Sequence, residues 1–371
     1  MRIAIRGIGL ITALGQGAQA HLDARGPNFR PLGEHPAASD PKFDHLPAAW
    51  IEERDFLNSR KFGPATCLGV EVVKQAIADS GLSSEEIRDA HLWVGTSRGN
   101  AAAFVDPWPG RRPAKLLAAS NSLHGEVAAA ISIDQGIQGP YNVLANGCSA
   151  SLDALGWAYE SIRSGRTRTA IAVGVELPIS PSLLRDYHHA GMLSSNGTSD
   201  PYSPQASGFI PSEAGAAIVL QAIDDDDENV PCLNRYDANS DATTLLGVPR
   251  DGAPLSRLLE QIQSPISVIC PHASGTPLHA IGEIAGIRSA FAKQIPELLP
   301  LKPWLGHSIG ASGAVESALI AAWLRSGSLP GAREGIAPKN FQLHSGGPIK
   351  GEVLKIASSM GGHNAIIGIT G

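Results

Sequence analysis

The sequence predicts an α/β protein built from layered sheets, and three observations carry that prediction. Short apolar runs of strand character alternate with stretches of helical spacing along all 371 residues. The run Ala170-Ile171-Ala172-Val173-Gly174-Val175 is apolar without alternation, the pattern of a strand covered on both faces. The alternation pauses at Asp224-Asp225-Asp226-Asp227-Glu228 and then resumes in the same style. Consecutive carboxylates along one strand cannot converge on an ion, so this run reads as a solvated linker. It divides the chain into units 1–223 and 224–371, as expected for a length above what one core usually serves.

The elements follow in order. Residues 3–10 read as a strand ending in a glycine turn. Residues 20–60 are proline-rich and weakly periodic, a surface excursion. Leu68, Val72, Val73 and Ile77 share a helical face over 65–80, and Gly81 stops it. Residues 91–95 form a short buried strand, and helical spacing returns over 115–133. Residues 141–145 are strand-like and lead into a helix whose stripe is Leu152, Leu155, Tyr159 and Ile162, with Gly165 beyond its end. Residues 170–175 and 216–223 are strands. After the acidic run come strands at 266–270 and 299–302, helices at 278–291 and 311–324, and two closing strands at 353–356 and 365–369. No sequence repeat relates the two halves.

Composition is 43% hydrophobic and 17% charged, that of an ordinary globular protein, and 41 glycines imply many tight turns. A net charge of −6 offers no basic field for nucleic acid. The four cysteines, Cys67, Cys148, Cys232 and Cys270, form neither a CxxC pair nor a metal-ligand pattern. No apolar run is long enough to span a bilayer, and Met1-Arg2-Ile3-Ala4-Ile5 reads as a strand start and not as a signal peptide. A cytoplasmic location is the expectation.

Cys67, Cys232 and Cys270 read as small buried hydrophobes. Cys148 differs in context. It lies in Asn146-Gly147-Cys148-Ser149-Ala150, where strand gives way to helix. Backbone can approach it closely, and a helix start favours a thiolate nucleophile. His272 and His307 each follow an apolar stretch and precede small, turn-forming residues, a context that His279, His344 and His363 share less. Two neutral imidazoles aimed at one point would polarise a carbonyl or hold an enolate. Lys302 and Glu283 sit in otherwise apolar surroundings, so an ion pair between them is expected near the site. The turn Ser359-Met360-Gly361-Gly362 reads as a hairpin that could present a backbone N–H.

These segments together resemble the β-ketoacyl-acyl-carrier-protein synthases, specifically the elongating class with a Cys-His-His site. Four stretches carry the resemblance, in family order. They are Asn146-Gly147-Cys148-Ser149-Ala150-Ser151, Gly208-Phe209 with Glu213-Ala214-Gly215-Ala216, His272-Ala273-Ser274-Gly275-Thr276-Pro277, and Lys302 with Gly306-His307-Ser308-Ile309-Gly310-Ala311-Ser312-Gly313. The resemblance implies the thiolase fold, with two similar mixed-sheet halves packed as α-β-α-β-α layers, the first carrying the nucleophile and the second both histidines. It implies that Cys148 holds the acyl chain. His272 and His307 would promote decarboxylation of a malonyl thioester. The N–H groups of Cys148 and Met360 would form an oxyanion hole, and Lys302 paired with Glu283 would support the histidines. Ser274 and Thr276 would bind phosphopantetheine, and Phe209 would lie by the acyl pocket. No metal or resident cofactor is implied, the substrates riding on the phosphopantetheine of an acyl carrier protein. The expected assembly is a homodimer, or a heterodimer with a chain-length-factor-like subunit.

The chain departs from the family pattern at Met360, usually a gating Phe, at Ala273, usually Gly, and at Ala280, commonly Asp. It also looks shortened around 100–115. These departures favour a specialised polyketide or polyene system over primary fatty-acid synthesis. The arginine that usually precedes the Gly-Phe motif is missing, leaving Arg60, Lys61, Arg111, Arg112 and Lys115 as candidate contacts for an acidic carrier. A thiolase would need a second reactive cysteine after Cys270, and an initiating synthase would have Asn in place of His307. A non-catalytic chain-length factor would generally lack the nucleophile.

Overall fold

Two sets of five strands, one on each side of the acidic run, are laid out in the same order. The computed structural model describes residues 1–24, 26–38, 40–101, 124–224, 230–245, 247–333 and 335–371. The first set is β1 (Arg2–Thr12), β2 (His91–Gly95), β3 (Tyr141–Leu144), β4 (Thr169–Glu176) and β5 (Ala214–Ile223), in spatial order β3-β2-β4-β5-β1. The second is β6 (Cys232–Ser240), β7 (Ile266–Cys270), β8 (Glu297–Leu298), β9 (Glu352–Ser358) and β10 (His363–Thr370), in order β8-β7-β9-β10-β6. Position for position the two orders are identical, and so are the directions. β2 runs parallel to β3 and β4, as β7 does to β8 and β9, and the remaining neighbours in each set are antiparallel. The sets join where Ile3 and Ala4 of β1 pair with Leu233 and Cys232 of β6. The repeat absent from the sequence is therefore present in the topology.

The longer helices are α1 (Pro64–Ser80), α2 (Gly125–Gln135), α3 (Ala150–Arg163), α4 (Pro181–His189), α5 (Ala253–Leu259), α6 (Pro277–Ala290) and α7 (Ser312–Arg325). Strand alternation sorts the core into layers. Ala170, Ala172, Ala216 and Ile218 face inward, with Val353, Ala357 and Ile367 of the other set, onto Leu152, Leu155, Val315 and Leu319 of α3 and α7. Ile171, Val173, Ala217 and Val219 face outward onto α1 and α2. Ile269, Leu354, Ile356 and Ile366 face outward onto α5 and α6. The result is α-β-α-β-α. Every residue of α7 from Ser312 to Trp323 is buried, as a helix apolar all round must be. Close approach of the central helices requires Gly174, where a Cβ would lie 2.6 Å from Ser151 Cβ and 2.8 Å from Ala314 Cβ.

Several expectations change. The excursion at 20–60 is no mere surface loop: Leu32, Phe43, Leu46 and Trp50 are buried and pack in the cluster that contains Cys148. Strand β6 was not anticipated, because Asn234, Arg235, Asp237 and Asn239 hide its period. The expected strand at 299–302 is instead the two-residue β8, followed by a helical turn Lys302–Leu305. Of the expected helix at 115–133, the described part is α2, and residues 102–123 lie outside the described residues, with the shortened region and with Arg111, Arg112 and Lys115. The acidic run lies outside them too, except Asp224, which is exposed. Among the described residues no helix is long and apolar enough to cross a membrane.

Candidate active site

Cys148 stands in a one-turn 3-10 segment, Gly147–Ser149, between β3 and α3. Gly147 has φ +74°, the left-handed region, and a Cβ there would lie 2.9 Å from Ser359 Oγ. Ser359 Oγ donates to the Asn146 carbonyl, and Asn146 Nδ2 donates to Asp153 of α3 at 2.6 Å, so both sides of the turn are tied. The thiol packs with Leu184, Leu193, Phe209 and Ile309. Burial pushes it up to about 11 against the pull of the Lys302 charge. The expectation of a helix-stabilised resting thiolate is thus corrected: the helix proper begins at Ala150, and in this apolar cluster desolvation dominates.

His272 follows β7 and His307 follows the Lys302–Leu305 turn. Both are 2% exposed. Cys148 Sγ and one ring nitrogen from each histidine lie within 4.8 Å of one another. The imidazoles meet edge to face, with centroids 5.3 Å apart. Burial, then the Lys302 charge, holds each well below the usual histidine range, so both are neutral. Ser312 Oγ lies 3.0 Å from His307 Nδ1 and 3.2 Å from Ser308 Oγ. A chain in which Ser308 donates to Ser312 and Ser312 to Nδ1 leaves Nε2–H free to donate into the site. His279, set aside in the sequence, lies tilted beside His272 with centroids 5.3 Å apart, and burial takes it down to about 4. Residues beside both histidines hold positive φ without being glycine, Ala273 at 45° and Ile309 at 43°.

The expected Lys302–Glu283 pair does not form. Lys302 Nζ donates to Glu316 Oε1 at 2.7 Å, and Lys355 Nζ lies 2.7 Å from Glu316 Oε2. All three residues are at most 5% exposed. Burial alone would raise the Glu316 carboxyl, but the two ammonium groups outweigh it and hold it below the usual range, while burial lowers Lys302. Glu283 instead accepts the backbone N–H groups of His272 and Ala273 and the Tyr202 hydroxyl. Burial raises it. Its place in α6, the helix that follows the histidine turn, aims it at the His272–Ala273 backbone and not at the lysine.

Phe209 is buried edge to face on His307, centroids 5.2 Å apart. Ser274 Oγ and Thr276 Oγ1 are 2.9 Å apart, and Thr276 Oγ1 is 3.0 Å from His279 Nδ1. Met360 is half-buried in the turn between β9 and β10, whose Gly361 and Gly362 have φ +86° and +79°. Sequence reasoning missed Glu316, Lys355 and Glu176. The signal for each was a charge inside an otherwise apolar element, which burial forces to find a partner. Glu176 ends β4, accepts the N–H groups of Ser97, Arg98 and Gly310, and is raised to about 7 by burial.

Known proteins resemble this chain in sequence and in fold. The family model described as Beta-ketoacyl synthase, N-terminal domain, matches residues 45–226, and the C-terminal domain model matches 237–334. The 3-oxoacyl-[acyl-carrier-protein] synthase 1 of Haemophilus influenzae is 24% identical over 297 residues, 73% of this chain and 71% of that protein. A putative polyketide beta-ketoacyl synthase 1 of Streptomyces halstedii is 26% identical over 208 residues, 51% of this chain and 49% of that one. Among solved structures, a type II polyketide ketosynthase in complex with its acyl-carrier protein superposes with TM-score 0.82 at 20% identity, covering 100% of this chain and 98% of that chain. The ishigamide ketosynthase/chain length factor does so with TM-score 0.82 at 18% identity, with the same coverages. These likenesses show the thiolase fold of the ketosynthases. The chain belongs to the β-ketoacyl synthase family, the acyltransferase-type ketosynthases of fatty acid and polyketide synthesis.

Proposed function

We propose that this chain condenses a malonyl thioester with an acyl group held on Cys148, both delivered on the phosphopantetheine of an acyl carrier protein. The observation that carries this reading is the convergence of one thiol and two neutral imidazoles within 4.8 Å, all three residues buried. Cys148 Sγ attacks the incoming thioester carbonyl. The Sγ–C bond forms, the bond to the pantetheine sulfur breaks, and the thiol proton passes through an imidazole to the departing thiolate. A malonyl thioester then enters with its carbonyl oxygen between His272 and His307. Loss of carbon dioxide leaves the bonding pair on the α-carbon, and the charge that gathers on the oxygen is met by Nε2–H donors. The enolate carbon attacks the Cys148 thioester, whose oxygen is held by the N–H groups of Cys148 and Met360. The new C–C bond displaces the Cys148 thiolate, which takes one proton from solvent.

Neutrality of the imidazoles matters: an imidazolium would donate more strongly, but its charge would cost heavily in this buried site. Lys302 assists by disfavouring that charge. Ser274 and Thr276 offer hydroxyls to the pantetheine arm, and Phe209 walls the acyl pocket beside His307. Arg60 and Lys61 are exposed and suit an acidic carrier. Strand β3 ends its sheet, and among the described residues nothing pairs with its outer edge, where Tyr141 is 45% exposed. That edge supports assembly as a homodimer, or a heterodimer with a chain-length-factor-like subunit. The intact Cys-His-His set favours a catalytic subunit over a chain-length factor. The test is intact-protein mass spectrometry after incubation with acyl-carrier thioesters. Cys148→Ala should take up no acyl group and still decarboxylate malonyl-carrier; continued acylation of that variant sinks the assignment.

A further inference from the structure

Lys355 carries a charge into the central layer of the molecule. It is 0% exposed on β9, between Val353 and Ala357, and shares their inward face. An unpaired ammonium cannot persist there. Its three N–H donors meet three acceptors: Glu316 Oε2 at 2.7 Å, the Ile356 carbonyl at 2.7 Å and the Pro271 carbonyl at 3.2 Å. The last contact is the informative one. The Pro271 oxygen belongs to the peptide whose N–H is that of His272, and that N–H is accepted by Glu283. The peptide plane leading into His272 is therefore gripped on its oxygen side by a cation and on its N–H side by a carboxyl. The grip holds a backbone that turns at once into the left-handed region at Ala273. The other oxygen of Glu316 holds Lys302, which opens the turn that presents His307. One carboxylate on α7 thus reaches both histidine turns, through one lysine each.

We propose that Lys355 is a positioning residue of the condensing site: tied to Glu316, it clamps the Pro271–His272 peptide and so sets where the His272 imidazole meets the malonyl carbonyl. This rests on the condensing role proposed above for Cys148, His272 and His307. Lys355 belongs to none of the motifs that carry the family resemblance. Its charge, added to that of Lys302 against a single Glu316 carboxylate, also leaves the imidazoles beside a net positive group.

The test uses the full chain with malonyl- and acyl-carrier thioesters. Lys355→Met keeps the neutral Lys302–Glu316 pair and should fold. Its malonyl decarboxylation turnover should fall about 100-fold, the cost of misplacing a group by an ångström, with KM and Cys148 acylation within about threefold of wild type. Lys355→Ala should lose as much and regain at least about tenfold with added propylammonium, which can occupy the vacated space, whereas the Met variant should not respond. Unchanged decarboxylation in Lys355→Met overturns the proposal. So do equal losses of acylation and decarboxylation, no amine response in the Ala variant, or failure of both variants to fold. Wild-type protein that neither acylates nor decarboxylates overturns the condensing role itself, a result separable from all of these.

Discussion

Replacing Glu316 by Gln removes one negative charge from a site that holds two positive ones. In the native protein Glu316 carries Lys302 on one oxygen and Lys355 on the other, each at 2.7 Å, all fully enclosed. Gln preserves the volume and can accept one hydrogen bond, but it leaves two ammonium groups facing each other without a counter-charge. Breaking a buried pair by deleting one partner costs about 3–5 kcal/mol, and that is the expected loss at pH 7. The pH dependence is more diagnostic. Lys302 is already lowered by burial, and Glu316 supplies most of what opposes this. Without it, burial and the Lys355 charge remain, and both push Lys302 down further. A lysine whose folded pKa lies below its unfolded value penalises the fold while it is charged, and the penalty is relieved as pH rises through the folded pKa. The unfolded chain then binds more protons than the native one, so stability rises with pH, by up to about 1.4 kcal/mol per pH unit for one proton. Urea unfolding followed by near-UV circular dichroism at pH 7, 8 and 9 should show the variant gaining on wild type across the series. A penalty under about 1 kcal/mol, or one independent of pH, refutes the reasoning.

Three further outcomes follow from the site. Alkylation of Cys148 by iodoacetamide should climb with pH through 9 without levelling, because the thiol is pushed up to about 11; a plateau below pH 7 would restore the resting thiolate. His307→Ala should still accept an acyl group on Cys148, seen by intact mass, and lose malonyl decarboxylation about 100-fold or more; full retention of decarboxylation would refute its role. Ala273→Gly should stabilise the fold by about 0.5–1 kcal/mol, since φ 45° suits glycine better than alanine even after the extra entropy glycine loses; a lower urea midpoint would contradict this.

The residues at this centre differ in how readily they can be read from the chain. Cys148, His272 and His307 are legible because each stands where a strand pattern yields to small residues, a break visible locally. Glu316 and Lys355 are not, because helical and strand periodicity sort positions by face and say nothing of a polar residue on a face that is apolar in all directions. The choice between Glu283 and Glu316 as partner of Lys302 is a choice between two helices, α6 and α7. Sequence distance does not decide it; the packing of α7 between the sheets does. The burial of Leu32, Phe43, Leu46 and Trp50 is hidden for another reason. Its apolar residues are fixed by one-off contacts around Cys148, and such contacts leave no period.

The repeated topology explains why the centre forms where it does. In the first set a three-residue 3-10 turn, Gly147–Ser149, precedes the 14-residue helix α3; in the second, Ile309–Ala311 precedes the 14-residue helix α7. The repeat sets these helix starts against each other, with Cys148 in one turn and His307 two residues before the other. The two sets then exchange equivalent ties. Glu176, at the end of β4, accepts the N–H of Gly310 in the second turn. Ser359, just past β9, donates to the Asn146 carbonyl beside the first turn. β4 and β9 hold the same place in their respective sets, so each strand end holds the turn of the other half. Side chains of different sequence make the two ties, which is why the repeat is invisible in the residues and evident in the backbone. A centre assembled this way depends on both halves at once, and a shift of either sheet would part the thiol from its histidines.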